Sequence, residues 1–160
     1  KIFSRFSAHG VAPNRLILEG PSSRQDYLSC YNKVDIALSP FPYGGGTTSV
    51  EGLWMGVPVL TKRGDHFLSH LGESIANNAG LSDWIAATDE EYVTKAIKFS
   101  SDLNKLMKLR LGLREQILAS PLFDSLRFAS HFEKAIWGMW NKWKKNPSNE
   151  QTEYRPTRQE

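Results

Sequence analysis

Three glycines followed by two threonines, Gly44-Gly45-Gly46-Thr47-Thr48, form the segment of this chain best suited to hold a ligand. Glycines let the backbone turn sharply and approach a bound group closely. The threonine hydroxyls fall where a helix begins, and there the first backbone N–H groups lack partners and the helix dipole is positive. Together these features suit a phosphate or diphosphate. Glu51 lies one turn further on. A carboxylate there can accept hydrogen bonds from ribose hydroxyls, and it would equally favour the dipole of the same helix.

Tyr27 is a second candidate. Its ring can stack on a nucleobase or simply pack half-buried. A third is the Gly64-Asp65-His66 turn, with His70 one helical turn later, which could touch phosphate or an incoming substrate. His9 and His131 read as surface or packing residues. Asp65 and His66 are adjacent, but no second group of ligating residues joins them, so no metal site is expected. The glycine run matches neither GxGxxG nor GxxxxGK[ST], and no GxSxG elbow supports nucleophilic hydrolysis.

These groups need elements to position them. Lys1 to His9 reads as the end of a helix capped by Gly10, and Pro13-Asn14 as a turn. Arg15 to Glu19 reads as a short strand stopped by Gly20-Pro21. A helix capped by Ser22 or Ser23 runs to about Asn32, with Tyr27, Leu28 and Tyr31 at helical spacing. Val34 to Leu38 reads as a buried strand, broken by Pro40 and Pro42. Thr47 opens a helix ended by Gly56, and Pro58 to Thr61 is a third strand. His66 to Asn78 reads as a helix ended by Gly80, and Trp84 to Ala86 as a fourth strand. From Thr88 onward the pattern is helical: a helix to about Ser101, another from Leu103 to Ala119, and a last one from about Ser125 to Lys144. Trp137, Trp140 and Trp143 share one face of that last helix, a spacing that predicts core or interlobe packing rather than a cofactor stripe.

Strands alternating with helices predict an α/β fold with a Rossmann-like parallel sheet flanked by helices. Ligands on such sheets bind beyond the carboxyl ends of the strands, which directs attention to the loops after Leu18, Leu38 and Leu60. One domain over residues 1–145 and a polar, disordered tail over 146–160 are expected.

The 160 residues carry 20 Lys plus Arg and 17 Asp plus Glu, a net charge of +3 that is too small and too dispersed to imply a nucleic-acid partner. The densest basic group, Lys142, Lys144, Lys145, Arg155 and Arg158, sits at or beyond the end of the last helix and reads as solvated. No apolar run approaches the roughly 18 residues of a membrane span, so no membrane partner is expected. One cysteine, Cys30, rules out an internal disulfide and a CxxC zinc site, which makes a reducing cytoplasm the expected location.

Several separated motifs together resemble one family. Val34-Asp35-Ile36-Ala37-Leu38-Ser39-Pro40-Phe41-Pro42-Tyr43-Gly44-Gly45-Gly46-Thr47-Thr48, then Glu51, then Leu53-Trp54-Met55-Gly56-Val57-Pro58-Val59-Leu60-Thr61 resemble the O-linked N-acetylglucosamine transferases. Those include Spindly-like enzymes and bacterial proteins with tetratricopeptide repeats. Gly80-Leu81-Ser82-Asp83-Trp84-Ile85-Ala86, and Ser120-Pro121-Leu122-Phe123-Asp124 before a Trp-rich helix, agree. The resemblance runs over about residues 14–143. It implies the C-terminal, donor-binding lobe of a GT-B glycosyltransferase, a fold of two Rossmann-like lobes.

By this resemblance Thr47 and Thr48 with the preceding Gly46 would meet the diphosphate of a nucleotide-sugar, with Gly44 and Gly45 in the same donor-binding loop, Glu51 would meet the ribose, and Tyr27 falls where a base- or ribose-contacting residue is expected. The family uses no divalent metal on the diphosphate, so no cofactor is expected beyond the donor substrate. Its phosphate-contacting lysine would precede Lys1, the acceptor-side residues belong to the other lobe, and the catalytic residues, not identified, are expected outside this chain. The 160-residue chain alone is therefore expected to show no appreciable transferase activity. Three positions depart from the family: Gly46 stands where the animal enzymes carry His, Arg24 replaces a Lys near the base, and His70 replaces a frequent Arg.

The expected activity of the whole enzyme is transfer of a sugar, N-acetylglucosamine from UDP-GlcNAc, to Ser or Thr hydroxyls of a protein or peptide acceptor. The alternatives are a GDP-fucose-dependent Spindly-like transferase and a degenerate, non-catalytic lobe serving as a protein-interaction module. A dinucleotide-dependent dehydrogenase is disfavoured, because GxGxxG is lacking.

Overall fold

A computed structural model describes residues 1–145. The tail expected over 146–160 lies outside the described residues. The chain divides into two compact units, Lys1–Val34 and Asp35–Glu160.

The first unit contains two short helices, α1 (Ile2–Ala8) and α2 (Arg24–Cys30). Gly10 has φ of 77°, the left-handed geometry that ends a helix and that glycine adopts without steric penalty. The Ser23 hydroxyl accepts from the Asp26 N–H at 3.1 Å and caps α2. The strand expected at Arg15–Glu19 is not formed. Pro13–Arg15 winds into a 3-10 turn and Leu16 follows in extended backbone. A strand exists only through its ladder, and this segment has none among the described residues. Ile17 and Leu18 are exposed accordingly.

The second unit holds a parallel sheet in the order β1-β2-β3, comprising β1 (Ala37–Leu38), β2 (Val59–Lys62) and β3 (Ile85–Ala86). Ala37 pairs with Val59 and Leu38 with Leu60; Thr61 pairs with Ile85 and Lys62 with Ala86. Around it stand α3 (Thr47–Trp54), α4 (Leu71–Asn78) and α5 (Asp89–Ser101), α6 (Leu103–Leu118) packs on α3 and α5, and α7 (Ser125–Lys145) follows in the chain. Leu53, Leu60, Leu113 and Ile117 are almost wholly buried and form the centre of the core with Val59, Ile75 and Trp84.

Several boundaries differ from the sequence expectation. The strand predicted from Val34 shrinks to two residues, and Leu38 is exposed rather than buried. Its ladder has a partner on one side only, so half of the burial available to a central strand is missing. The helix predicted over His66–Asn78 begins as a 3-10 turn, Phe67–His70, before α4. Trp84 closes a 3-10 turn, Ser82–Trp84, and β3 starts after it. The tryptophan stripe is not in the core: Trp137, Trp140 and Trp143 are 57%, 49% and 49% exposed, and α7 buries no residue.

Close approaches fix the layers. Thr61 lies so near Gly72 that a Cβ on that glycine would meet its Oγ1 at 2.1 Å, so α4 can seat against β2 only without a side chain there. Gly56, at φ of 77°, ends α3 beside the Arg110 carbonyl of α6. Arg110 returns a hydrogen bond to the Gly56 carbonyl at 3.3 Å and pairs with Asp35. These contacts anchor the entry to β1 and the exit of α3, the two ends of the segment that carries the glycine loop.

Candidate functional site

The glycine loop leaves the carboxyl end of β1 and enters α3. Gly46 is the residue before the helix, with φ of −94° and ψ of −89°, and has no side chain to cap it. Thr47 and Thr48 form the first two helical positions and are exposed. The first internal bonds of the helix run from the Ser49 and Val50 N–H groups to the Gly46 carbonyl, at 3.1 and 3.2 Å. The helix start therefore faces outward with its positive pole and two hydroxyls, an arrangement that can bind an anion. Glu51 lies one turn inside and is half-buried.

The loop is held from several directions. Ser39, 5% exposed, donates its N–H to the Leu60 carbonyl at 2.9 Å, which extends the β1–β2 ladder by one bond. Its hydroxyl oxygen accepts from the Gly45 N–H at 3.4 Å, and the Ser49 hydroxyl donates to the Gly45 carbonyl at 2.8 Å. Side chains at Gly44 and Gly45 would displace these hydroxyls: added Cβ atoms would meet Ser39 Oγ at 2.8 Å and Thr48 Oγ1 at 2.3 Å. From α5, Tyr92 donates its hydroxyl to the Ser39 carbonyl at 3.0 Å and meets the Phe41 ring edge-on at 5.4 Å. Burial raises the Tyr92 hydroxyl above its ordinary pKa, so it stays a donor. Lys62 sits 4.3 Å from the centre of the Phe41 ring and bonds Asp89 at 2.6 Å.

The segment after β2 comes to the same end of the sheet. Leu71, the first residue of α4, lies 3.2 Å from where a Gly46 Cβ would be. His70 precedes it and bonds Glu73 through Nδ1 at 2.7 Å, while Arg63 stands 3.7 Å from the other Glu73 oxygen. His66 donates its N–H to the Ser69 hydroxyl at 3.0 Å. The loops singled out after Leu38 and Leu60 are thus neighbours at the carboxyl end of the sheet, while Leu18, in the first unit, ends no strand.

Tyr27 belongs to the first unit, on α2. Its hydroxyl lies 2.8 Å from that of Tyr31 and the two rings meet edge-on at 5.6 Å. Sequence reasoning missed Ser39, Lys62, Glu73 and Tyr92. Only Ser39, adjacent to the glycine loop in the sequence, carried a local signal.

The loop that follows β3 carries charge of another kind. Glu91 accepts from the Ala87 N–H at 2.6 Å and pairs with Lys95 at 2.9 Å. The Ala87 hydrogen bond first, then Lys95, holds its carboxyl below the usual range. Backbone hydrogen bonding and Thr88 do the same to Glu90. Among the described residues no group of three or more His, Cys, Asp or Glu side chains could hold a metal, and no helix is long and apolar enough to cross a membrane. A cleft of about 440 Å³, floored by Trp84, Phe99 and Leu106, opens at the amino end of β3 and shares no residue with the glycine loop.

Several known proteins resemble this chain. The sequence profile of glycosyl transferase family 41 matches residues 1–132. A tomato (Solanum lycopersicum) protein described as a probable UDP-N-acetylglucosamine–peptide N-acetylglucosaminyltransferase SPINDLY is 36% identical over 135 residues, covering 84% of this chain and 14% of that protein. The Arabidopsis thaliana protein SEC, described as a probable transferase of the same kind, is 29% identical over 136 residues, again 84% of this chain and 14% of that one. Among solved structures, a mutant of the Thermobaculum terrenum O-GlcNAc transferase superposes with a TM-score of 0.81 at 38% identity, covering 88% of this chain and 27% of that chain. The chain thus spans a small part of the length of its relatives, and its parallel sheet with flanking helices matches a fragment of their α/β fold.

Proposed function

From the premise that the chain belongs to glycosyl transferase family 41, we propose that it forms the donor-binding part of a protein O-glycosyltransferase using UDP-GlcNAc. The observation that carries this reading is the N-terminus of α3. It presents a helix start and two exposed threonines beyond the carboxyl end of a parallel strand, reached through a loop in which a Cβ on Gly44 or Gly45 would crowd the Ser39, Thr48 and Ser49 hydroxyls.

In this reading the diphosphate lies against Gly45, Gly46, Thr47 and Thr48. The backbone and hydroxyl donors and the helix dipole stabilise charge on the departing UDP, the preorganised electrostatic contribution that speeds group transfer. Glu51 receives the ribose hydroxyls. Neutralisation rests on these groups with no divalent cation. The acceptor is a Ser or Thr hydroxyl of a protein, bound by regions beyond this chain, and the protein acts in the cytoplasm. The choice of uridine follows the UDP-N-acetylglucosamine-dependent activity for which the relatives are named.

Titration of the 15N-labelled chain with UDP, GDP, uridine and pyrophosphate, read by amide shifts, tests this. Shifts at Gly44–Glu51, larger with UDP than with GDP, are the expected result. Preference for GDP would move the donor to a guanosine sugar such as GDP-fucose. No response to any diphosphate would replace the donor site with an interaction module.

A further inference from the structure

We propose that Tyr92 is a positioning residue for the diphosphate, acting through Ser39 on the glycine loop; the inference rests on the donor-site reading above. Tyr92 stands on α5, in sequence far from the loop it touches. Its hydroxyl donates to the Ser39 carbonyl at 3.0 Å. Ser39 is already fixed to β2 through its N–H, and its side chain receives the Gly45 N–H at 3.4 Å. The Gly45 carbonyl in turn receives the Ser49 hydroxyl from the first turn of α3 at 2.8 Å. One continuous chain of hydrogen bonds therefore runs from α5 through the end of β1 to the helix start. The Tyr92 ring braces the same loop a second time, against Phe41.

This arrangement has a consequence for binding. A run of glycines is the most freely moving backbone available, and it loses the most entropy when a ligand orders it. The donors of an anion site hold their ligand well only if they already converge before it arrives. Tyr92 supplies that order without touching the ligand. Its hydrogen bond is neutral and half-buried, so its removal should change affinity by the amount typical of one such bond.

The test uses Tyr92→Phe in the 160-residue chain, which keeps the ring and deletes the hydroxyl, with Ser39→Ala as a second variant that cuts the link to Gly45. Three readouts are compared with wild type: amide hydrogen exchange at Gly44–Ser49 without ligand, UDP affinity, and uridine affinity. The expected result is faster exchange confined to the loop and UDP binding weaker by about 5-fold, the equivalent of one neutral hydrogen bond, with uridine unchanged. A general loss of stability would weaken both ligands equally, so a parallel fall in uridine affinity overturns the positioning role. Wild-type binding of UDP together with unaltered binding by both variants overturns it as well. A wild-type chain that binds neither UDP nor pyrophosphate overturns the donor site and with it any role of Tyr92 toward a diphosphate. Loop exchange in the variants then shows whether the brace itself exists.

Discussion

Gly72→Ala should lower the melting temperature, although alanine is the better helix former. Inside α4 the exchange gains about 1 kcal/mol in helix propensity. Against it stands the contact with β2. The new Cβ would lie 2.1 Å from Thr61 Oγ1 and 2.9 Å from Thr61 Cβ. Thr61 is 3% exposed and belongs to the central strand of the sheet, so it cannot withdraw without disturbing two ladders. Overpacking typically costs about 1–3 kcal/mol; a 2.1 Å approach to a strand held on both sides belongs at the top of that range, so the net loss should be about 2 kcal/mol after the propensity gain. For a chain of this size that is a fall in Tm of roughly 4–8 °C.

The control is Gly112→Ala on α6, where nothing lies within 4 Å of the added Cβ. There the propensity term acts alone, and Tm should rise by about 2–4 °C. Thermal unfolding followed by circular dichroism reads both. The Gly72 variant should also bind UDP less well, because Leu71 at the head of α4 flanks Gly46. If Gly72→Ala melted at or above the wild-type temperature, the packing of α4 on β2 would be wrong as described.

Two further outcomes follow from particular contacts. Gly45→Ala places a methyl 2.3 Å from Thr48 Oγ1 and 2.9 Å from Ser49 Oγ, so UDP affinity measured by calorimetry should fall by about 10-fold or more, on the order of one lost charge-assisted hydrogen bond; wild-type affinity would contradict the loop geometry. Glu91 has a folded pKa below its unfolded value, so the unfolded chain takes up the proton first as pH falls. The stabilisation is complete above the unfolded value of about 4.5 and is lost as pH drops through the folded one. Glu91→Gln, which can still accept from Ala87, should therefore show a shallower loss of Tm between neutral and acid pH than wild type. Equal slopes would refute the assignment.

The sequence by itself determined the local events. Glycines at positions 10, 56 and 80 end helices because each takes a positive φ, and the caps at Ser23 and Thr88 start them through hydroxyls three residues from the N–H they accept. The position of the glycine loop between a strand and a helix was legible for the same reason, since its geometry is set within a dozen residues. The motif order was specific enough to point to one family, and the profile match agrees.

What the tertiary structure alone decided involves partners distant in sequence. Leu16 to Glu19 has the residues of a strand, but strand formation depends on a neighbouring ladder that no local pattern specifies. Leu38 lies at the side of a short sheet and stays exposed for that reason. The periodicity of Trp137, Trp140 and Trp143 shows that one face of α7 is apolar, and says nothing of what covers it; here the three rings stand about half exposed. Tyr92 and Ser39 are 53 positions apart, as distant as Arg110 and Gly56 are at 54. No spacing rule links them, because a hydrogen bond depends on where atoms lie in space, and only the packing of α5 on the sheet and of α6 on α3 brings those atoms together.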